Sequence, residues 1–317
     1  MTLIKPPTTE NILLAALNLK KGALIGLPTE TVYGLAADAE NENAVRRIYE
    51  VKGRPFDHPL IVHIGSIAYL EKWAKDIPDY AKLLAEKFWP GPMTLILKRS
   101  EIAKNFITGG QESIGLRMPK HDVALKILDE FHILGGNGIA APSANIFGKT
   151  SATEVSNISN ELKLKLDTRT DFLIDGGQSE LGIESTIIDC TVYPPNILRP
   201  GWITKNNIEK KLDFEIDKSK ASYKKVSGAH NTHYKPRTRV VLNCKIEEGD
   251  GLIALEQIST PSGVTRLSTP GNMEEFSKQL YSAFALADQL NLRRINVQLN
   301  ETSELAEAIL ERVNKAV

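Results

Sequence analysis

The stretch "ALIGLPTETVYGLAADA", Ala23 to Ala39, decides how the chain is read. Ala23 to Leu27 is an apolar run of strand length, and Pro28, which has no N–H to give a ladder, ends it. Two threonines flanking an acid follow, then Tyr33 and Gly34, then apolar residues again. This is neither a Walker loop nor a dinucleotide fingerprint, so neither of those phosphate-binding explanations applies. The stretch predicts a core strand ended at Pro28 and followed by a small polar turn. Glu30 is either a partner for a nearby arginine or an acid of the site.

Working outward, the spacing of apolar residues predicts a helix before this strand, capped by Thr8 or Thr9 and stopped at Gly22. Asn43–Val51 reads as a helix, "PLIVHIG" (Pro59–Gly65) as a strand, and Pro78–Phe88 as a helix with Asp76 as its cap. "WPGP" (Trp89–Pro92) is a rigid turn and "MTLILK" (Met93–Lys98) a strand. "SIGLRMP" (Ser113–Pro119) is a strand ended by proline, Asp122–Phe131 a helix, and "GIAAPSAN" (Gly138–Asn145) a strand leaving through Pro142. "DFLIDGG" and "ESTIIDC" read as two strands joined by a Gly-rich turn, and "ILRPG" precedes a helix over Thr204–Leu212. Strands and helices mix without strict alternation, which favours a mixed-sheet α/β or α+β domain over a doubly wound one.

Composition then shifts. Lys218 to Arg239 holds seven Lys/Arg, two His and no acid, and reads as an exposed linker. Beyond it, three strand-like runs, a long helix over Met273–Leu290, the strand "INVQL" and a helix from Glu304 outline a second, small α/β domain. The expected division is 1–212, a linker over 213–237, and 238–317.

The bulk numbers exclude several classes. The chain has 317 residues, 42% hydrophobic and 25% charged, and 39 Lys+Arg balance 39 Asp+Glu. A protein that coats nucleic acid is usually basic, so any RNA contact here is local or transient. Cys190 and Cys244 are too few for a disulfide framework and lack metal-site spacing; they read as free thiols of a reducing, cytoplasmic compartment. The apolar run Ile12–Leu17 is too short for a signal segment or membrane span.

Small polar and basic residues gather at the predicted strand ends: Thr29 and Thr31, Lys52 and Arg54, His63, Arg117, Ser143 and Asn145, Ser185 and Thr186, and Arg199. Open mixed sheets bind ligands where strand ends converge. Arginine offers a fork for carboxylate or phosphate, lysine a compact charge, and hydroxyls with turn N–H groups complete an anion cradle. Each residue also has an ordinary structural reading: Arg117 paired with an acid, His63 hydrogen-bonded in the sheet, Ser143 and Asn145 shaping a turn.

Taken in order, "PTETVYGLAADA", "VKGRPFDHPLIVHI", "WPGPMTLIL", "IGLRMP", "IAAPSAN", "GIESTIID" and "ILRPG" resemble the YrdC-like threonylcarbamoyl-adenylate synthase family, over roughly Leu13 to Leu212. The linker with "HYKP" and the extra domain resemble its longer, two-domain branch. The resemblance implies a twisted, open mixed α/β sheet with a central, positively lined cavity, and a small Rossmann-like α/β C-terminal domain. It implies that L-threonine, bicarbonate or CO2, and Mg-ATP give threonylcarbamoyl-adenylate and pyrophosphate. Downstream threonylcarbamoyl-transferase proteins would then modify an adenosine of tRNA, with tRNA touching this chain indirectly or transiently. By similarity, Thr31, His63, Arg117, Ala141 (through its backbone) and Ser185 fall at threonine-binding positions. Arg54, His58, Ser113, Ser143, Ser151, Arg199 and Tyr234 fall at ATP-binding positions, with Lys52 beside the phosphates and Asn145 near them. Mg2+ is expected to arrive with ATP, without direct protein ligands. Two departures stand out: "SGAHNT" replaces the family's usual linker segment, and His58 stands where other members often carry Asn or Lys.

No Ser-His-Asp or Cys-His pair is apparent, so catalysis is expected from positioning and charge stabilisation, with Lys52, Arg54 and Arg199 against the phosphates. Arg117 would clamp the threonine carboxylate. His63, with an ordinary pKa near 6.5, is a candidate proton acceptor, and the linker with Tyr234 a candidate lid. Two other readings are an RNA-binding module, disfavoured by zero net charge and few stacking aromatics, and an enzyme of this fold that activates a different carbamate.

Overall fold

The computed structural model describes residues 2–212, 215–216 and 233–317. Ten strands form one mixed sheet: β1 (Ile4–Lys5), β2 (Ile25–Leu27), β3 (Gly34–Asp38), β4 (Ile61–His63), β5 (Met93–Lys98), β6 (Ser113–Arg117), β7 (Ile139–Ala140), β8 (Phe172–Ile174), β9 (Thr186–Asp189) and β10 (Asn196–Arg199). Their order across the sheet is β1-β8-β2-β3-β7-β4-β6-β5-β9-β10, with parallel and antiparallel pairs interleaved. A second sheet holds β11 (Arg239–Leu242), β12 (Asp250–Ala254), β13 (Thr265–Ser268) and β14 (Arg294–Gln298) in the order β11-β14-β12-β13, all parallel. The expected fold class, a large mixed sheet plus a small α/β unit, is what the chain adopts.

The helices are α1 (Thr9–Lys20), α2 (Glu42–Lys52), α3 (Leu70–Trp73), α4 (Asp79–Phe88), α5 (Asn105–Thr108), α6 (Asp122–Ile133), α7 (Asn160–Lys163), α8 (Lys205–Leu212), α9 (Met273–Gln289) and α10 (Glu304–Ala316). Helix α1 starts where Thr8 accepts the N–H of Asn11. Helix α2 starts where Asn41 accepts that of Ala44, and ends at Gly53 in the left-handed conformation. Helices α1 and α6 cover one face of the large sheet, packing Ile12, Leu19, Ile127 and Phe131 on Ile25, Leu27 and Ile139. The opposite face carries the larger core, with Tyr33, Leu35, Val45, Ile48, Trp73 and Leu95. A third core, around Phe276, Leu280 and Ile309, takes in Val32, Ile183 and Tyr234, so the turn after β2 and the loop before β9 pack into the second α/β unit.

The strands expected in "DFLIDGG" and "ESTIIDC" are β8 and β9; β8 lies parallel to β1 and β2, while β9 lies parallel to β5 far across the sheet. Two other expectations are corrected. Only Ile139–Ala140 of "GIAAPSAN" are strand, because Pro142 has no N–H for the ladder. Asp76 does not cap a helix; Pro78 holds the N-cap of α4, and Asp76 takes a left-handed turn with φ 49°. Most of the basic linker lies outside the described residues, and with it the "SGAHNT" segment; His233 to Pro236 are described.

Candidate active site

The ends of β4 and β6 lie side by side, with His63 directly opposite Arg117 in parallel register. The turn after β2, the segment after β7, the residue entering β9 and the last residue of β10 reach the same place. Together they line a cavity of about 550 Å3, counted out to its mouth, with Thr31, His63, Arg117, Ala141, Ser143, Ser185 and Arg199 in its wall. Arg54 joins them from the C-terminal end of α2, and His233 and Tyr234 close another side. The Thr-Glu-Thr turn divides its work by residue. The Thr29 hydroxyl donates to Val32 O at 2.6 Å and accepts the Thr31 and Val32 N–H groups at 3.3 Å, tying the turn. Thr31 faces the cavity. Glu30 turns back onto Arg117, with Oε1 and Nη2 2.7 Å apart and both side chains buried. That distance is an ion pair, yet Glu30 Oε1 and Oε2 and Arg117 Nε and Nη2 make no aligned hydrogen bond. Tyr33 lines the wall and is fixed by its hydroxyl, which donates to Gly177 O at 2.7 Å and accepts the Gly176 N–H at 3.0 Å.

The cationic residues are held by carbonyls. Arg199 donates through Nε and Nη2 to Ser185 O at 3.0 and 2.8 Å, and through Nη2 to Ser185 Oγ at 3.1 Å. Ser185 Oγ also meets Thr94 Oγ1 at 2.7 Å. Arg54 donates to Pro59 O at 2.9 Å, and its guanidinium lies 5.8 Å from the Phe147 ring centre. Burial pulls the Arg54 guanidinium down to about 10 and lowers Arg199 as well. His63 is lowered to about 3, by burial first and Arg117 second, so it is neutral and a weak base. In this state its imidazole is the unprotonated form, with little tendency to take up a proton.

Five of the sequence-predicted residues do not line this cavity. Lys52 is buried behind it, where Nζ donates to Ser143 O at 2.6 Å and Asn145 O at 2.5 Å. Burial first, and Arg54 second, hold its pKa well below that of a free lysine. Asn145 and Ser151 border an adjoining cleft against Lys235, Arg237 and α9. Ser151 donates to Glu184 Oε1 at 2.7 Å. The His58 ring lies edge-on to Phe147 at 5.4 Å, and Ser113 is buried at the far end of β6 from Arg117.

Two residues were missed by the sequence reading. Glu184 lines the cavity beside Ser185, and Arg312 of α10 reaches it from the second α/β unit, Nε to Oε2 3.3 Å. The signal for Arg312 was present: it falls on the apolar stripe Ala306, Ile309, Val313, Ala316, where a charge needs a buried partner. Among the described residues no cluster of three His, Cys, Asp or Glu side chains has metal-binding geometry, and no helix is long and apolar enough to cross a membrane.

A family model described as telomere recombination, covering the Sua5, YciO and YrdC proteins, matches residues 18–201. The chain belongs to the Sua5–YrdC family. A second model, described as the C-terminal domain of threonylcarbamoyl-AMP synthase, matches residues 203–317, which places this chain among the two-domain members. Among Sua5–YrdC relatives, the threonylcarbamoyl-AMP synthase of Pyrococcus abyssi is 39% identical over 329 residues, spanning 96% of this chain and 93% of that one. That of Bacillus subtilis is 43% identical over 227 residues, spanning 70% and 63%. The crystal structure of P. abyssi Sua5 complexed with L-threonine has a TM-score of 0.88 to this chain at 36% identity, covering 99% of this chain and 97% of that one.

Proposed function

We propose that this member of the Sua5–YrdC family is a threonylcarbamoyl-AMP synthase, joining L-threonine, bicarbonate or CO2, and ATP with release of pyrophosphate. The observation that carries the reading is the set of polar groups that converge on one cavity. Three arginines line it, while the hydroxyl of Tyr234 and the Nδ1 atoms of His63 and His233 are buried with no hydrogen-bond partner among the described residues. Buried polar atoms left this way are costly, and a polar, anionic ligand meets both the charge and the hydrogen-bonding demand.

In this reading Arg117, backed by Glu30, takes the threonine carboxylate, and Thr31, Ser185 and the Ala141 backbone orient the rest of the amino acid. Neutral His63 serves as a hydrogen-bonding group. Arg54, Arg199, Ser143 and Tyr234 take the ATP, with Mg2+ entering as part of the Mg-ATP substrate. Lys52 acts from behind, fixing the Ser143–Asn145 segment. The carbamate oxygen attacks the α-phosphorus and pyrophosphate leaves in line, so the protein's work is to align the two and to stabilise charge in a dry site. Transfer of the threonylcarbamoyl group to tRNA would fall to separate transferase proteins, in the cytoplasm. Residues 1–212 would form the synthase domain, 213–237 a linker and 238–317 a supporting domain.

The test is incubation with L-threonine, bicarbonate and Mg-ATP, followed by mass spectrometry. Threonylcarbamoyl-adenylate and pyrophosphate are expected in equal amounts, both dependent on threonine. Pyrophosphate release that is indifferent to threonine would sink the reading.

A further inference from the structure

Arg312 has no exposed side-chain surface and belongs to α10, far in sequence from every cavity residue. Its guanidinium reaches the side chain and the backbone of Glu184 in the cavity wall and Pro200 next to Arg199. Nε donates to Glu184 Oε2 at 3.3 Å, and Nη2 to the Glu184 backbone carbonyl at 3.3 Å. Nη1 donates to Pro200 O at 2.6 Å. The guanidinium carbon lies 5.8 Å from the Tyr234 ring centre. Glu184 precedes Ser185, which accepts Arg199, and Pro200 follows Arg199 itself. Arg312 therefore clamps, from outside, both backbone segments that present the Arg199–Ser185 pair, and packs on the aromatic ring beside them. Tyr281 of α9 completes the cluster, its hydroxyl donating to Glu184 Oε2 at 3.1 Å and its ring stacked on Tyr234 at 5.7 Å. Nη1 also donates to Glu311 Oε2 at 2.8 Å and to Ala308 O at 3.3 Å.

We infer that Arg312 is a positioning residue for the nucleotide side of the site, through which the second α/β unit sets the geometry of Arg199, Ser185 and Tyr234. The inference rests on the function proposed above. Its chemistry is that of a planar fork: three partners at fixed angles need a guanidinium, and an ammonium on a flexible stem does not span them. Glu184, in turn, is an acid in a cavity built for anions, tolerated because Arg312, Ser151 and Tyr281 all engage its carboxylate.

The full chain is used for the test, with Arg312→Lys, Arg312→Met, Glu184→Gln and the Glu184→Gln/Arg312→Met double variant. ATP affinity and threonine affinity are measured by calorimetry, and product by mass spectrometry. Arg312→Lys keeps the charge and the fold, and is expected to weaken ATP binding roughly tenfold while threonine affinity changes less than about twofold. Arg312→Met leaves Glu184 buried without its cation and is expected to weaken ATP binding further, by about a hundredfold. The double variant removes both charges and is expected to recover at least about tenfold of that loss, because the two residues act as a pair. Arg312→Lys with unchanged ATP affinity would overturn the inference, as would equal losses of ATP and threonine affinity in it. Failure of the functional reading looks different: the unsubstituted chain would make no threonylcarbamoyl-adenylate, while the effect of Arg312 on ATP affinity would still be read directly.

Discussion

Arg117 Nη2 and Glu30 Oε1 stand 2.7 Å apart at the cavity wall, both buried, yet without an aligned hydrogen bond between them. The pair neutralises charge while leaving the guanidinium fork uncommitted by geometry. Arg117→Met is expected to cost about 3–5 kcal/mol of stability, because it strands a buried carboxylate. Adding Glu30→Gln should restore most of that stability in urea unfolding. Threonine binding by calorimetry should be lost in both variants; a double variant that still binds threonine would remove Arg117 from the site.

Lys52 is a second case where stability and activity are linked through the backbone. Its ammonium bonds the Ser143 and Asn145 carbonyls and does not line the cavity. Lys52→Met should cost about 1–3 kcal/mol for each carbonyl left buried and unmet, measured by urea unfolding. The KM for ATP should rise with it, since Ser143 sits on the released segment. Unchanged stability with lost activity would mean instead that the lysine meets the phosphates itself.

Tyr234 offers the converse. Its hydroxyl is buried with no hydrogen-bond partner among the described residues, and its ring is packed between Tyr281 and Arg312. Tyr234→Phe keeps the packing, so the melting temperature should stay level or rise slightly. If the hydroxyl serves ATP, the KM for ATP should rise by roughly five- to tenfold, the worth of one hydrogen bond. Identical kinetics in the two proteins would limit Tyr234 to packing.

The buried histidines predict a pH dependence of stability. Burial lowers His63 and His233 to about 3, against an ordinary value near 6.5. Between those values the unfolded chain binds protons that the folded chain excludes. Stability is therefore fully present above about pH 6.5 and falls as the pH drops toward 3, by up to about 1.4 kcal/mol per pH unit for each histidine. Urea unfolding at a series of pH values should show this slope, and His63→Gln should flatten it. A slope unchanged by that substitution would mean His63 is protonated in the fold.

How far the sequence could be read depended on whether a residue's role was local. The turn at Pro28, the cap at Thr8, and the clustering of His63, Arg117, Ser185 and Arg199 at strand ends all follow from short-range pattern. Long-range pairing did not: β8 and β9 are close in sequence, yet each takes a parallel partner elsewhere in the sheet, which short-range pattern cannot specify. That Lys52 ends on the Ser143 and Asn145 carbonyls is not legible either, because a lysine's sequence position does not reveal where its flexible stem leads. The lowered pKa of His63 was out of reach because its main cause, burial, is invisible in the sequence. Arg312 escaped notice because its partner, Glu184, lies in a different structural unit.

Arg312 also follows every other residue of the site in chain order. All ten strands of the large sheet are encoded by residue 199, so a growing polypeptide can close that sheet long before α10 is made. Until then Glu184 and Pro200 lack the guanidinium that joins them. A chain still on the ribosome would thus lack this fastening until α10 emerges, although the sheet that it fastens is already encoded.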